Sequence, residues 1–420
     1  MLRSAVILSS PRDLERRFGH TFTRGPGAWQ QKTRVAFVDQ AGAVAGGAER
    51  TLATLLAFTP EDLKPTVILF EDGAFADELR RMPVAVEILR APGSFATSKR
   101  ERVRAGAVFD TFGQALRLAR RLRELRIDVV YSNTMKAHFV CALAARLARI
   151  PCVMHFHDIV DGTVMHALRA AARLGSVERV ACAHAVADAV GLERTTVSYG
   201  PIVLEAYRGL PRRDAARDAL GLPKDVPVVA LVGRINRWKG HDRFVRIAAA
   251  VNRVTPAHFA IVGAPIFRDA DFVAELEALV RRLGIEQRVS FVPWVDDVRS
   301  VFAAIDLNVN CSTREPFGRT IVEAAAAGVP SVCFDDSGAS EIVLDGYTGG
   351  VVAAGDEDRM AHAILEWLPR AADEEIRARV RHSATRFEAR AIADQVAGVV
   401  RRAAHSRARQ VRRRPSAAPV

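Results

Sequence analysis

The chain has 420 residues, 49% of them hydrophobic, and a formal net charge of +12. That length exceeds a single core and predicts two or three domains, and no uncharged apolar run reaches the ~18–20 residues of a membrane span. The start has only a short apolar patch, Ala5 to Leu8, and no small-residue cleavage site, so residues 1–32 read as a flexible arm and not as a signal peptide. Cys141, Cys152, Cys182, Cys311 and Cys333 are odd in number and lack metal-ligand spacing. They mostly sit in apolar segments, which predicts buried free thiols in a reducing cytoplasm.

Strand-like runs alternate with helical ones along almost the whole chain, the pattern of parallel α/β sheets. The first half offers strands at 34–39, 66–70, 84–89, 129–132 and 152–157, with helical stretches such as 48–58 and 134–148 between them. The polar segment 205–225, with Pro211 and Pro223, reads as an interdomain connection. A second alternation follows, with strands at 226–233, 258–263, 289–293, 307–311 and 331–334, and an amphipathic last helix at 386–402. Ligands of open parallel sheets bind outside the carboxyl ends of the strands, and four motifs fall at such ends.

The first is Gly46-Gly47-Ala48-Glu49-Arg50, which follows the strand 35–39 and leads into a helix. Glycine lets the backbone approach a bound group, and a helix start favours negative charge; a plain tight turn is the equal alternative for Gly-Gly alone. The second is His155-Phe156-His157-Asp158, where alternation puts both histidines on one face of a strand end. No third ligand for a metal is evident nearby, His155 reads as a satisfied core histidine, and Asp158 is placed to orient His157. The third is Gly233-Arg234-Ile235-Asn236-Arg237-Trp238-Lys239-Gly240. If the loop turns back at Gly240, Arg234 and Lys239 converge on one point and suit a diphosphate. A solvated basic loop is the usual fate of two such cations.

The fourth runs Glu315-Pro316-Phe317-Gly318-Arg319-Thr320-Ile321-Val322-Glu323, two carboxylates with seven residues between them. Pro316 and Gly318 break the chain before a helix, so 317–320 should offer backbone N–H groups at a helix N-terminus, a setting that binds phosphate. Carboxylates accept hydrogen bonds from vicinal hydroxyls, so the spacing can serve both ends of a sugar nucleotide. Alone, such a pair is more often a capping glutamate and a surface glutamate.

The longer run from Ser312 to Glu341, with Gly328-Val329-Pro330 stopping the helix, resembles the signature of the retaining glycosyltransferases of family 4. The resemblance extends through Gly346-Tyr347-Thr348-Gly349-Gly350 and, with the other motifs, covers most of residues 33–400. It implies the GT-B fold: two Rossmann-like, doubly wound α/β domains with the active site in the cleft between them. The expected division is 33–204 with the returning helix 386–404, then 205–385, then a basic disordered tail at 405–420. It also implies roles. Arg234 and Lys239 would hold the diphosphate of a nucleoside-diphosphate sugar, Glu323 the ribose hydroxyls and Glu315 the donor sugar's hydroxyls. The Phe317-Gly318 backbone would add contacts to the sugar, and His157 would lie near the reactive carbon. Gly46 and Gly47 would touch the donor phosphates or the acceptor. Neither metal nor other cofactor is expected: Asp269-Ala270-Asp271 imitates a metal motif in a polar loop, and Asp335-Asp336 reads as a strand-end turn. One pattern is broken, since Tyr199-Gly200-Pro201-Ile202 stands where members often carry Asn-Gly-Val-Asp.

Positive charge concentrates twice. Arg401 to Arg414 carries seven arginines and no acid, expected as disordered chain. Lys99, Arg100, Arg102 and Arg104 precede a helix with Arg117, Arg120 and Arg121 on one face and Phe112, Ala115, Leu116, Ala119 and Leu122 on the other. The apolar side is expected in the core, and the basic side faces water or an anionic membrane surface, at about 1 kcal/mol per basic residue.

The resulting expectation is a retaining glycosyltransferase acting on a sugar or lipid-linked acceptor, in cell-envelope glycolipid or polysaccharide synthesis. It would work in the cytoplasm, peripheral on the inner membrane face. Front-face departure is the favoured mechanism, with double displacement through another nucleophile open. A GT-B epimerase or phosphorylase shares the fold. A basic nucleic-acid-binding protein suits the charge, but 7% aromatics, not interleaved with the cations, disfavour it, so no nucleic acid is expected.

Overall fold

The computed structural model describes residues 32–40, 42, 46–92, 105–265 and 270–412. Most of the expected arm, the cations of 99–104, Asp269 and residues 413–420 lie outside this range. Two compact units divide the chain, one comprising Ile202–Glu388, the other running up to Pro201 and resuming at Ala389.

The amino-terminal unit is built on strands β1 (Thr33–Asp39), β2 (Leu63–Leu69), β3 (Ala85–Ile88), β4 (Val129–Ser132), β5 (Cys152–Phe156), β6 (Ser176–Ala181) and β7 (Thr195–Val197). Among the described residues they form one sheet in the order β3-β2-β1-β4-β5-β6-β7, parallel throughout. Strands buried on both faces read as continuous apolar runs, as Val35 to Val38 and Val129 to Tyr131 do, all of them buried. Chain order reverses between β1 and β4, the switch point where such sheets bind ligands.

The carboxyl-terminal unit repeats the plan with β8 (Val228–Val232), β9 (His258–Val262), β10 (Val289–Val292), β11 (Leu307–Asn310), β12 (Ser331–Phe334) and β13 (Gly349–Val352). Their order is β10-β9-β8-β11-β12-β13, again parallel, with the switch between β8 and β11. A buried ion pair stiffens the base of this sheet. Arg217, fully buried, donates to Asp306 Oδ2 at 2.6 Å and to the carbonyls of Ala304, Pro223 and Val226, while Val228 N donates to the same carboxylate.

The last helix, Ala389–Arg412, belongs to the amino-terminal unit. Ile392, Val396, Val399 and Val400 join the core of Val35, Phe37, Leu52 and Tyr131. Arg401 grips Asp62 with two hydrogen bonds of 2.8 Å. The expected disordered tail is therefore helical as far as Arg412, since its first residues continue a packed amphipathic helix.

The basic helix at Ala105–Glu124 corrects a second expectation. Ala115, Leu118, Ala119 and Leu122 are buried, but Phe109, Phe112 and Leu116 are exposed, at 78%, 50% and 47%. The helix is turned about its axis relative to the reading from sequence, because Gln114 is buried and donates to Leu89 O at 2.7 Å. Arg121 is not a solvated cation either, since it makes a two-pronged bond to Glu87 at 2.7 and 2.8 Å.

Candidate active site

At the switch point of the second sheet, the loop after β8 carries the basic motif. Asn236 starts a short helical turn, Arg237–Lys239, by accepting from Lys239 N at 3.2 Å. Gly240 follows in the left-handed region, φ +71°, and a Cβ there would lie 2.3 Å from the Cys311 carbonyl oxygen. The chain leaving β11 passes too close for any other residue, so glycine is required on both counts.

The loop after β11 carries the acidic motif. Helix Arg319–Ala326 starts at Gly318, φ +93°, where a side chain would also crowd Ile321. Arg314, at φ +55°, is a non-glycine residue in the left-handed region, held by its backbone N–H on the Asp336 carboxylate. Asp335 accepts from Ala354 N at 3.0 Å, so this acidic pair fastens strand-end loops. Such local strain concentrates at ligand sites.

Because β8 and β11 are neighbours, the two loops meet. Lys239 Nζ lies 2.6 Å from Glu315 Oε2 and 4.1 Å above the Trp238 ring centroid. Asn310 Nδ2 donates to the same oxygen at 3.4 Å. Glu315 is buried, which pushes its carboxyl up, yet the Lys239 ammonium and these hydrogen bonds outweigh burial and hold it below the usual carboxylate range. Glu323, one turn into the helix, accepts from Arg319 Nε at 2.9 Å. Arg234 is exposed and makes no hydrogen bond or ion pair among the described residues. Phe317 is buried, its ring edge-on to Phe387, so its contribution to a ligand is limited to its backbone.

At the switch point of the first sheet a different set converges. Asp39 ends β1, Asn133 follows β4 and His157 follows β5. Asn133 Nδ2 donates to Asp39 Oδ2 at 2.8 Å and to Ala48 O at 3.1 Å, while Asn133 Oδ1 lies 3.0 Å from His157 Nε2. The His157 and His155 rings pack at a tilt of 43° with centroids 3.9 Å apart, and Tyr131 bonds His155 Nδ1 at 2.7 Å. Burial pulls His157 down to about 3, so its ring is neutral at ordinary pH. Gly46 N donates to Glu49 Oε2 at 2.7 Å, and a Cβ at Gly47 would meet open space.

Residues 45–191 match the family model described as Glycosyltransferase Family 4, and residues 212–387 match glycosyl transferases group 1. Between them the matches span more than half of the chain. The chain belongs to glycosyltransferase family 4, with the GT-B fold. The D-inositol 3-phosphate glycosyltransferase of Mycobacterium sp. (strain KMS) is 38% identical over 175 residues, covering 41% of this chain and 39% of that protein. The match therefore spans well under half the length of these curated relatives. Anabaena Alr3699/HepE, solved with UDP and glucose, superposes with a TM-score of 0.75 at 27% identity over 88% of this chain and 100% of that one. Its complex with UDP-glucose gives 0.70 at 28% identity over 89% and 98%.

For this family 4 member, the structure brings Lys239 and Glu315 into contact, whereas the resemblance gives them different parts of a donor, the diphosphate and the sugar. Arg234, Phe317, Gly318 and Glu323 share their unit. Gly46, Gly47 and His157 lie in the other, at the first switch point. Asp158 does not hold His157; Asn133 does. Asn133, Asp39 and Asn310 were missed because no motif marks them, although each is a polar residue at the carboxyl end of a parallel strand. Among the described residues no group of three or more His, Cys, Asp or Glu side chains could hold a metal ion. No described helix is long and apolar enough to cross a membrane.

Proposed function

We propose that the chain transfers a sugar, with retention, from a nucleoside diphosphate to an acceptor hydroxyl on a sugar or lipid-linked acceptor. The observation that carries this reading is the contact of Lys239 with the buried Glu315 carboxylate, with an unengaged Arg234 on the same loop as Lys239 and a helix N-terminus at Gly318. The UDP-glucose complex of Anabaena Alr3699/HepE supports a nucleoside-diphosphate sugar as the donor class. Arg234 and Lys239 neutralise charge building on the leaving diphosphate, an electrostatic stabilisation of the transition state. Glu315 takes hydrogen bonds from donor sugar hydroxyls and Glu323 from the ribose. The acceptor hydroxyl oxygen bonds to the anomeric carbon on the face from which the nucleoside diphosphate leaves, and its proton passes to the departing phosphate oxygen as the carbon–oxygen bond to that phosphate breaks. Nothing in this scheme calls for a metal, and the activity is expected to survive EDTA.

The test is a release assay with UDP-, GDP- and ADP-sugars, with and without EDTA, beside Glu315→Ala and Glu323→Ala. Slow hydrolysis of one donor, lost in both variants, is the expected result. Silence with every donor, together with no nucleotide binding by calorimetry, sinks the reading.

The place of action is proposed as the cytoplasmic membrane face, in making an envelope glycolipid or polysaccharide. Phe109, Phe112 and Leu116 form an exposed apolar stripe on helix Ala105–Glu124, flanked by exposed Arg117 and Arg120. Such a helix lies in the headgroup region of an anionic bilayer. Vesicles containing anionic lipid should sediment the protein. Phe109→Ser with Phe112→Ser should release it, and unchanged sedimentation counts against the membrane.

A further inference from the structure

We infer that Asn133 is a positioning residue that fixes His157 as the neutral Nε2–H tautomer and so presents Nδ1 as an acceptor for a substrate hydroxyl. The inference rests on the sugar-transfer reading for its substrate, but its structural half stands on geometry alone. Asn133 and Asp39 are both fully buried. An amide has one accepting and one donating end, and the neighbours decide which end goes where. Asp39 Oδ2 at 2.8 Å and Ala48 O at 3.1 Å can only accept, so both must face the NH₂ group. Turning the amide over would set three oxygens against one another in a buried site, at the full cost of unsatisfied groups. The Asn133 carbonyl oxygen is therefore the atom 3.0 Å from His157 Nε2. An oxygen that only accepts requires a nitrogen that donates, so the proton sits on Nε2 and the lone pair on Nδ1.

The same amide ties three strand-end features together. Asp39 closes β1, Ala48 lies in the first turn of the helix entered through Gly46-Gly47, and His157 stands beyond β5. Asn133 thereby sets both the tautomer and the ring orientation of His157, with the tilted His155 ring packed 3.9 Å away as a second restraint. Among the described residues Nδ1 of His157 makes no hydrogen bond, which leaves it for a ligand. A neutral imidazole with a fixed acceptor suits a sugar hydroxyl, whereas an imidazolium or the other tautomer would present a donor in its place.

Long-range proton–nitrogen NMR on histidine-labelled full-length protein reads the tautomer directly, with the His157 signals identified as those missing in His157→Gln. The expected result at pH 7 is a protonated Nε2 and an unprotonated Nδ1, giving way to a mixed or reversed pattern in Asn133→Ala. In the release assay Asn133→Ala should lose about tenfold in kcat/KM, the worth of one hydrogen bond, while UDP affinity is retained. A wild-type His157 protonated on Nδ1, or on both nitrogens, overturns the inference whether or not the variant folds. A tautomer unchanged in a folded Asn133→Ala overturns it as well. If no donor is turned over while the tautomer behaves as expected, the sugar-transfer reading fails and the assignment of Asn133 stands.

Discussion

Lys239 and Glu315 stand 76 residues apart in sequence, yet their charged groups touch at 2.6 Å, with 17% and 7% of the side chains exposed. A pair so buried is costly to break from one side, because the remaining charge has neither water nor partner. Lys239→Ala should destabilise the unit by about 3–5 kcal/mol, and Lys239→Met with Glu315→Gln by less than that single change. Thermal unfolding of the single and double variants checks this. Equal loss in both would mean that the pair is screened by solvent.

Arg234 offers the contrast. Exposed, and without a hydrogen bond or ion pair among the described residues, it contributes nothing to stability through a partner. Arg234→Ala should leave the melting temperature almost unchanged, within about 0.5 kcal/mol. UDP binding should weaken by about 1.5–3 kcal/mol, the worth of a charge-assisted hydrogen bond. Calorimetry with UDP reads this directly, and an unchanged affinity would remove Arg234 from the diphosphate site.

Acid should act on the first unit through its histidines. Burial pulls His138 and His157 down to about 3 and His155 well below its ordinary value. Unfolded histidine takes up its proton near pH 6.5, at roughly its reference value. Between those limits the unfolded chain binds more protons, so unfolding free energy rises with pH. Stability contributed by the neutral rings is thus full above the unfolded value and is lost as pH falls from about 6.5 towards 3. The melting temperature should fall across that window, and His155→Gln should flatten the slope. A slope that appears only below the carboxylate range would assign acid sensitivity elsewhere.

Asp306 bears a different load. It accepts from Arg217 at 2.6 Å and from Val228 N at 2.7 Å at the start of β8. Asp306→Ala leaves a fully buried guanidinium without its counter-charge and should cost about 3–5 kcal/mol. Urea unfolding of the variant tests it, and a loss below ~1 kcal/mol would show that the surrounding carbonyls suffice for Arg217.

The central strands were readable because parallel strands covered on both faces need unbroken apolar residues, and Val228 to Val232 supplies them. The edges were not. Strand Ser176–Ala181 carries Glu178 and Arg179, and Thr195–Val197 is only three residues long, so neither makes an apolar run. Phe112 and Leu116 were assigned inward on hydrophobicity, which does not register that a glutamine can take the buried position when a carbonyl awaits it. In the site, motif spacing led to Arg234 with Lys239 and, separately, to Glu315. The contact of Lys239 with Glu315 depended on β8 and β11 lying side by side, a fact of strand order that spacing does not carry. Asn133 left no trace beyond its place after a strand, since its work depends on three partners brought from distant parts of the chain.

Helix Ala389–Arg412 gives the amino-terminal unit a dependence in time. Ribosomes deliver Val35 and Tyr131 early, but Ile392, Val396 and Val400, which cover the same core, arrive only after Ile202–Glu388 has emerged. During synthesis the second unit can complete itself first, while the first sheet waits with part of one face uncovered. A premature stop shortly before Ala389 would therefore damage the half of the protein that was translated first.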